Sequence, residues 1–172
     1  AECVEGLVEI DFDGYAIGGV SVGESREDVR KALEVTTHLL PADRPRYLMG
    51  VGRPQDILDA VATGVDMFDC VLPTRNGRNA TCLTANGPVK MRNAVHKVDP
   101  RPIEEGCDCL ACRKFSRGYL RHLFIANEML GPILASLHNL AYLHRLTRRI
   151  REAIREGRFV PFRTEALEAL GR

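Results

Sequence analysis

The spacing of apolar residues in the N-terminal part of the chain predicts short strands that alternate with amphipathic helices. Residues 14–22 form an apolar run punctuated by glycine, and residues 46–52 and 67–72 are predicted to contain two further strands. Between them, residues 25–40 begin with a serine cap, and residues 54–64 begin with proline and end with glycine, as helices often do. This β-α-β-α-β order predicts a parallel sheet with right-handed crossovers.

The pattern changes after Pro73. The stretch ATCLTANGPVKMRNAV carries Asn-Gly between two short apolar segments, which predicts a β-hairpin. A proline-rich connection and the segment CDCLACRKF come next, and amphipathic helices follow in residues 119–130 and 133–157. We therefore expect a second structural region, inserted or appended after the third strand.

Composition limits the classes of protein to consider. A chain of 172 residues is long enough for one domain or for one core with an appendage. No apolar run approaches the roughly 20 residues of a membrane-spanning helix, so we expect a soluble protein. The formal charge of +1 gives no general attraction for nucleic acid, although residues 145–158 carry six arginines against two glutamates.

The beginning of the chain and its cysteines indicate context. Ala1 lies within what is predicted to be the end of a helix, without the features of a signal peptide, so we expect a piece of a larger protein. Three of the six cysteines crowd into one short segment, which is not the pattern of a secreted disulfide framework. We expect a reducing, cytoplasmic compartment.

The segment CDCLAC predicts a metal site. Its three thiols can face one ion, and zinc would bind them as thiolates with a fourth ligand in tetrahedral geometry. The cysteines are Cys107, Cys109 and Cys112. The histidines that spacing allows as a fourth ligand are His96, His122, His138 and His144. His138 is attractive because it interrupts a mostly apolar stretch, and an iron-sulfur cluster or free thiols are the alternatives.

The stretch MFDCVL ends in two candidate nucleophiles, Asp69 and Cys70. Side chains alternate along a regular strand, so only one of the two can face a given site. Cys70 has no histidine close in sequence to lower its pKa, which favours a small buried hydrophobic residue. Asp69 lies near the carboxyl end of a parallel strand, where active sites of such folds collect. A structural acid that caps a loop or pairs with arginine is the alternative.

Arginines follow this strand directly. Arg75 and Arg78 flank a glycine in TRNGR, which is predicted to be an exposed turn. Two guanidinium groups on such a turn suit phosphates or base edges. A solvated surface turn without a ligand is the alternative.

Taken together, these residues resemble a known family. The stretches GYAIGGVSVGE, YLMGVGRPQDI and GVDMFDCVLPTRNGRNA, with C-x-C-x2-C and a later histidine, look like the C-terminal half of bacterial-type tRNA-guanine transglycosylases, also called queuine tRNA-ribosyltransferases. The resemblance implies an α/β fold: residues 1–73 as the last strands and helices of a (β/α)8 TIM barrel, and residues 74–172 as hairpin, zinc-binding subdomain and closing helices. It implies exchange of the wobble guanine of tRNA for a 7-deazaguanine, a queuosine precursor.

The resemblance also implies residue roles. Asp69 matches the nucleophile that forms a covalent bond to the ribose. The residues that match the ligands of one structural Zn2+ are Cys107, Cys109, Cys112 and His138. The residues that match the base-binding pocket are Gly19, Val20, Glu24 and Met49. The residues that match RNA-contacting segments are Gly50, Val51, Gly52, Arg53, Pro54, Gln55, Asp56, Thr74, Arg75, Asn76, Gly77 and Arg78.

Partners follow from the same resemblance. It implies binding to the anticodon loop of tRNA and to a 7-deazaguanine base, with homodimers and no membrane association; Val22 near the pocket is compatible with the aminomethyl precursor. The family's general acid/base aspartate belongs to the N-terminal half, which this chain lacks. A non-catalytic zinc-containing module for tRNA binding or subunit association is the alternative function.

Overall fold

The computed structural model describes residues 2–20 and 23–171, so Val22 lies outside the described residues. The chain divides into two compact units, Ala1–Val71 and Leu72–Arg172. Together they give a mixed α/β protein with many helices and two small sheets. Within the described residues, none of the helices combines the length and the apolarity that crossing a membrane requires.

The first unit alternates helices and strands. Its elements are α1 (Glu2–Ile10), β1 (Tyr15–Ile17), α2 (Arg26–Thr37), β2 (Arg46–Leu48), α3 (Pro54–Ala62) and β3 (Met67–Phe68). The three strands form one sheet in the order β1-β2-β3, and both pairings are parallel. The predicted β-α-β-α-β order is confirmed.

Local sequence signals explain where these helices begin. The Ser25 hydroxyl accepts a hydrogen bond from the Asp28 N–H, and the Asp28 carboxylate accepts one from the Ser25 N–H, which forms a capping box at α2. Pro54 occupies the first turn of α3, where its missing N–H costs nothing. Leu33 and Leu48 are buried in the core that these elements share. The predicted serine cap and proline start are therefore confirmed.

The predicted strand over residues 67–72 is too long. β3 ends at Phe68, and a new helix, α4 (Leu72–Arg78), begins four residues later. The predicted turn at TRNGR is therefore wrong, because residues 74–78 belong to this helix. The glycine at position 77 favoured a turn in the sequence analysis. In the structure Gly77 is buried in a helix, and because it has no side chain, Ser136 packs closely against it.

The second unit contains a hairpin and five helices of varied length among its described residues. Its elements after α4 are β4 (Thr81–Cys82), β5 (Val89–Lys90), a 3-10 turn (Ala94–His96), α5 (Leu110–Lys114), α6 (Arg117–Ile125), α7 (Leu130–Arg155) and α8 (Phe159–Gly171). The strands β4 and β5 pair antiparallel, which confirms the predicted hairpin. The predicted helices at 119–130 and 133–157 are confirmed, with different ends.

The long helix α7 organises this unit. Its buried residues recur along one side, and they include Leu134, His138, Asn139 and Tyr142. The Asn139 side chain accepts from the Leu83 N–H at 2.7 Å and donates to the carbonyls of Pro73 and Thr81 at 2.9 and 3.0 Å. A buried amide whose hydrogen bonds are satisfied in this way fixes the hairpin and the start of α4 against α7.

We predict that Gly77→Ala destabilises the second unit. A Cβ at this position would lie 2.7 Å from the Ser136 nitrogen and 2.8 Å from its Cα, and this backbone cannot rotate away. The free energy of unfolding should fall by about 1–3 kcal/mol, the usual cost of overpacking. Chemical denaturation monitored by circular dichroism measures it. The control Gly6→Ala, in α1 with no atom within 4 Å of its Cβ, should be neutral or stabilising. Equal effects of the two changes would contradict the packing argument.

Candidate active site and metal centre

The carboxyl ends of three parallel strands meet at one edge of the first sheet. Ile17 pairs with Leu48, and Leu48 pairs with Phe68, so each of these terminal residues lies beside the next. The residues that follow them in sequence are Gly18, Met49 and Asp69. Such an edge is where parallel α/β sheets bind ligands, because the loops that leave it can vary without disturbing the strands.

Asp69 is held in place by two hydrogen bonds to one carboxylate oxygen. The Tyr47 hydroxyl donates to Oδ1 at 2.7 Å and the Gly50 N–H donates to the same atom at 2.9 Å. The side chain is exposed. The hydrogen bond from Tyr47, and then that from Gly50, hold the pKa of the Asp69 carboxyl below its ordinary value. Asp69 is therefore an oriented, ionised carboxylate at neutral pH with its other oxygen, Oδ2, outside these two bonds.

The turn after β2 makes this arrangement possible. Gly50 has a φ of 74°, a left-handed conformation in which its N–H can point at Asp69. Tyr47 donates from the strand next to β3, and its own phenol pKa is raised by the hydrogen bond to Asp69. The same hydrogen bond thus favours the protonated form of the Tyr47 phenol and the ionised form of the Asp69 carboxyl.

The strand-alternation argument for choosing between Asp69 and Cys70 does not apply as stated, since β3 ends before either residue. Cys70 is partly buried, whereas Asp69 is exposed. The Asp69 carboxylate has two donors at the strand edge that fix its orientation.

The other predicted pocket residues lie in two loops of the first unit. Met49 is 46% exposed, which leaves its thioether open to a flat ligand. Gly19 has a φ of 72° and open space where a Cβ would be, while Val20 is partly buried against the core. Glu24 is exposed, immediately before the cap of α2.

The two predicted RNA-contacting segments differ in character. In residues 50–56, Arg53 is exposed at the N-cap of α3 whereas Val51, Gly52 and Pro54 are buried. Residues 74–78 belong to the second unit, where Arg75 and Arg78 are exposed on α4 at a spacing that places both on one face. The first segment therefore presents one cationic side chain at the start of a helix, and the second presents two on a helix.

The second unit brings the three cysteines and His138 together. Nδ1 of His138 lies 3.8, 3.6 and 3.3 Å from the sulfurs of Cys107, Cys109 and Cys112, and all four ligand atoms lie within 4.8 Å of one another. Zn–S bonds of about 2.3 Å and Zn–N bonds of about 2.0 Å in a tetrahedron would separate sulfur and nitrogen by about 3.5 Å. The group is therefore compatible with one structural zinc ion, and His138 is the histidine that the structure brings to the three cysteines.

Neighbouring groups orient the ligands. Nε2 of His138 lies 2.8 Å from the Leu83 carbonyl, which can only accept, so this nitrogen carries the proton and Nδ1 offers a lone pair to the metal. The Cys112 N–H donates to the Cys109 sulfur, which also caps α5. Arg145 donates to the Cys107 sulfur at 3.1 Å and forms an ion pair with Glu104. The Arg145 guanidinium, which Glu104 shares, would place positive charge beside the thiolates that hold a zinc ion.

The cysteine thiols lie in different surroundings. The hydrogen bond between Cys109 and Cys112 lowers the pKa of the Cys109 thiol and raises that of the Cys112 thiol, so in this pair the thiolate forms first at Cys109. Burial raises the pKa of Cys82 to about 12, so this thiol stays protonated and acts as a core residue. Cys3 is exposed in α1.

Sequence inspection missed Tyr47 and Arg145. Tyr47 pairs with Met67 across the sheet, and Asp69 lies two residues after Met67, so the side chains of Tyr47 and Asp69 meet diagonally. That contact needs the strand register, which spacing alone did not supply. Arg145 lies two helical turns after His138, so both can lie on the same side of α7. This spacing places Arg145 near the cysteines only if His138 is already known to be the fourth ligand.

A family model described as queuine tRNA-ribosyltransferase matches residues 1–172. The chain is 54% identical to the queuine tRNA-ribosyltransferase of Leptothrix cholodnii, over 95% of this chain and 45% of that protein. It is 54% identical to that of Solidesulfovibrio magneticus, over 99% of this chain and 45% of the relative. It is 52% identical to that of Vibrio campbellii, over 98% of this chain and 45% of the relative. The chain thus spans somewhat less than half the length of these relatives.

We predict that Tyr47→Phe raises the pKa of Asp69. The change removes the hydrogen bond that lowers the Asp69 pKa most, while the Gly50 N–H still donates. Titration of the carboxyl carbon by NMR, with 13C-labelled aspartate, measures the shift. Tyr119→Phe, which removes an exposed phenol in the second unit, should leave the titration of Asp69 unchanged. An unaltered midpoint in Tyr47→Phe would contradict the assigned cause.

We predict that Cys109→Ser abolishes stoichiometric zinc binding. A hydroxyl replaces one of three thiolates in a four-ligand site, and the free energy of unfolding should fall by about 3 kcal/mol or more because metal binding energy is folding energy. Elemental analysis and thermal melts measure both effects. The control Cys3→Ser, far from the ligands in sequence and exposed, should retain the wild-type zinc content. Full zinc in Cys109→Ser would exclude the proposed ligand set.

Proposed function

Since the chain belongs to the queuine tRNA-ribosyltransferase family, we propose that it supplies the nucleophile-bearing C-terminal portion of a tRNA-guanine transglycosylase. This pentosyltransferase exchanges the wobble guanine of tRNA for a 7-deazaguanine, a queuosine precursor. The observation that carries the proposal is the exposed Asp69 carboxylate, oriented by Tyr47 and Gly50 at the carboxyl edge of a parallel sheet. The alternative, a non-catalytic zinc-containing module, is not favoured, because the relatives of this chain are named as transferases.

Asp69 acts as the nucleophile in this proposal. Its carboxylate oxygen attacks the anomeric carbon of the ribose, the bond from that carbon to guanine breaks, and guanine leaves with the bonding electrons. The incoming base then attacks the same carbon and releases Asp69, so two inversions retain the configuration and the RNA backbone stays intact. A carboxylate suits a sugar carbon with oxocarbenium character, as in retaining glycosidases. The lowered pKa supports this role, because the nucleophile must be ionised.

The base is proposed to bind beside Asp69. Met49 stacks on the heterocycle, the backbone of Gly19 and Val20 approaches its edge, and Glu24 responds to its substituent. Exposure of the Met49 side chain and the absence of a side chain at Gly19 support these roles, since a flat ligand needs an apolar face and room for close approach.

RNA contacts are proposed for two segments. Residues 50–56 and 74–78 contact the anticodon loop, with Arg53, Arg75 and Arg78 as cationic groups for phosphates or base edges. The exposure of all three arginine side chains supports these contacts.

The remaining proposals concern the whole protein. The three parallel strands are consistent with the last strands of a (β/α)8 barrel, whose other strands and general acid/base would belong to the rest of the relatives' length. Zinc held by Cys107, Cys109, Cys112 and His138 stabilises the fold of the second unit, because a site closed by four protein ligands has no open position for substrate. We also propose a homodimer.

Trapping of the covalent intermediate tests the proposed function. The full-length protein is mixed with unmodified tRNA, without added base, and resolved on a denaturing gel. We expect a slow-migrating protein-RNA band that disappears when a 7-deazaguanine base is added, because the base completes the exchange.

Two variants sharpen this test. Asp69→Asn should reduce the band at least about 100-fold, since an amide is a poor nucleophile. The neighbouring Cys70→Ala should retain the band if the thiol plays no covalent part. A band that survives in Asp69→Asn and is lost in Cys70→Ala would show that the nucleophile is Cys70 and not Asp69. The lack of any band with the wild-type protein would contradict the proposed enzymatic function.

A further inference from the structure

Residues 145–158 span the C-terminal part of α7 and the turn that follows it, and they carry six arginines. Arg145 is engaged by Glu104 and the Cys107 sulfur, Arg149 lies over the Phe162 ring at 5.1 Å, and Arg158 pairs with Glu156. Arg148, Arg151 and Arg155 are exposed, and no salt bridge joins them to any acid in residues 23–171. Structural roles thus account for half of the six arginines in this segment.

The three remaining arginines form a regular array. At about 100° per residue, Arg148, Arg151 and Arg155 fall within an arc of about 60°. The buried residues Leu146, Ile150 and Ala153 lie on the opposite side of the helix. We call the surface formed by Arg148, Arg151 and Arg155 the arginine face. Successive members are separated by about 4.5 and 6 Å along the axis, since each residue rises about 1.5 Å.

The like charges of this array are unfavourable for the helix. Arginines three and four residues apart on a helix repel one another, by a few tenths of a kcal/mol per pair. Glu152 lies between Arg148 and Arg155 in sequence, but no salt bridge joins it to either arginine. The helix itself is rigid here, because its other side is packed in the core of the second unit. The formal charge of the chain is only +1, so these arginines are a local concentration and not part of a generally basic surface.

We propose that the arginine face binds the sugar-phosphate backbone of tRNA. Guanidinium groups bind phosphates through paired N–H donors, and a row of them on one helix suits consecutive phosphates of an RNA strand. The arginine face consists of other residues than the segments 50–56 and 74–78, and its proposed contacts are to phosphates and not to bases. The inference rests on the proposed function for the choice of tRNA as the partner. It adds affinity that is independent of sequence and falls with salt, because bound phosphates release counterions.

A triple variant tests the arginine face. Arg148→Gln, Arg151→Gln and Arg155→Gln are combined in the full-length protein, since glutamine keeps the helix propensity and removes the charge. The control combines Lys90→Gln, Lys97→Gln and Arg113→Gln, which removes three positive charges from exposed positions outside α7. Zinc content and thermal melts establish that both variants are folded. The dissociation constant for unmodified tRNA is then measured at several salt concentrations.

We expect the triple variant to bind tRNA at least about tenfold more weakly at low salt, with the slope of log Kd against log salt reduced by about two to three. The control should keep the wild-type slope. Wild-type affinity and slope in the triple variant would overturn the proposal. So would conversion of a dimer to a monomer with an unchanged salt slope, since the arginine face would then contact a protein.

Failure of the proposed function gives a different pattern. If the wild-type protein forms no covalent band with tRNA, yet binds RNA with a salt slope that only the triple variant loses, the enzyme assignment fails and the arginine face stands. If the covalent band forms and the triple variant binds like the wild type, the enzyme stands and the arginine face fails.

Discussion

The second unit depends on the two nitrogens of one buried imidazole. Nδ1 of His138 faces the sulfurs of the cysteine segment, and Nε2 meets the carbonyl of Leu83 in the hairpin. The adjacent Asn139 satisfies the backbone of Leu83, Thr81 and Pro73. Two consecutive polar residues in an otherwise apolar helix face thus join the cysteine loop, the hairpin and α4 to α7. A region with so few strand hydrogen bonds needs such links, because its short elements cannot be stable alone.

The first unit obtains its order differently. Its three strands are only two or three residues long, yet their parallel register brings three loop starts to one edge. Asp69 is positioned by a phenol from the neighbouring strand and by an N–H from the turn that follows that strand. The carboxylate therefore takes its orientation from β2 and its turn, and the loop that carries it does not have to fix it alone. Pre-organisation of this kind suits the nucleophilic role proposed for Asp69, because little has to move before attack.

Sequence patterns predicted the elements better than their ends. Caps and glycine or proline punctuation located α2, α3 and the hairpin, because these signals act through local backbone hydrogen bonds. TRNGR was misjudged as a turn because a glycine in a helix is explained only by what packs against it, here the Ser136 backbone. The three cysteines were found from spacing, while the choice among four histidines needed the resemblance to a family. Tyr47 depends on strand register, which no short motif encodes.

The helix α7 carries two requirements in one continuous register. His138 must face the cysteine sulfurs, and the arginines that follow in sequence must stay on the side opposite the core. Inserting or deleting a single residue between His138 and Arg148 would leave the metal ligands in place but turn everything beyond by about 100°. Ile150 and Ala153 would leave the core as the arginines approached it. The length of this stretch is therefore under tighter constraint than the identity of most residues within it, and related chains should tolerate substitutions there far more readily than changes in length.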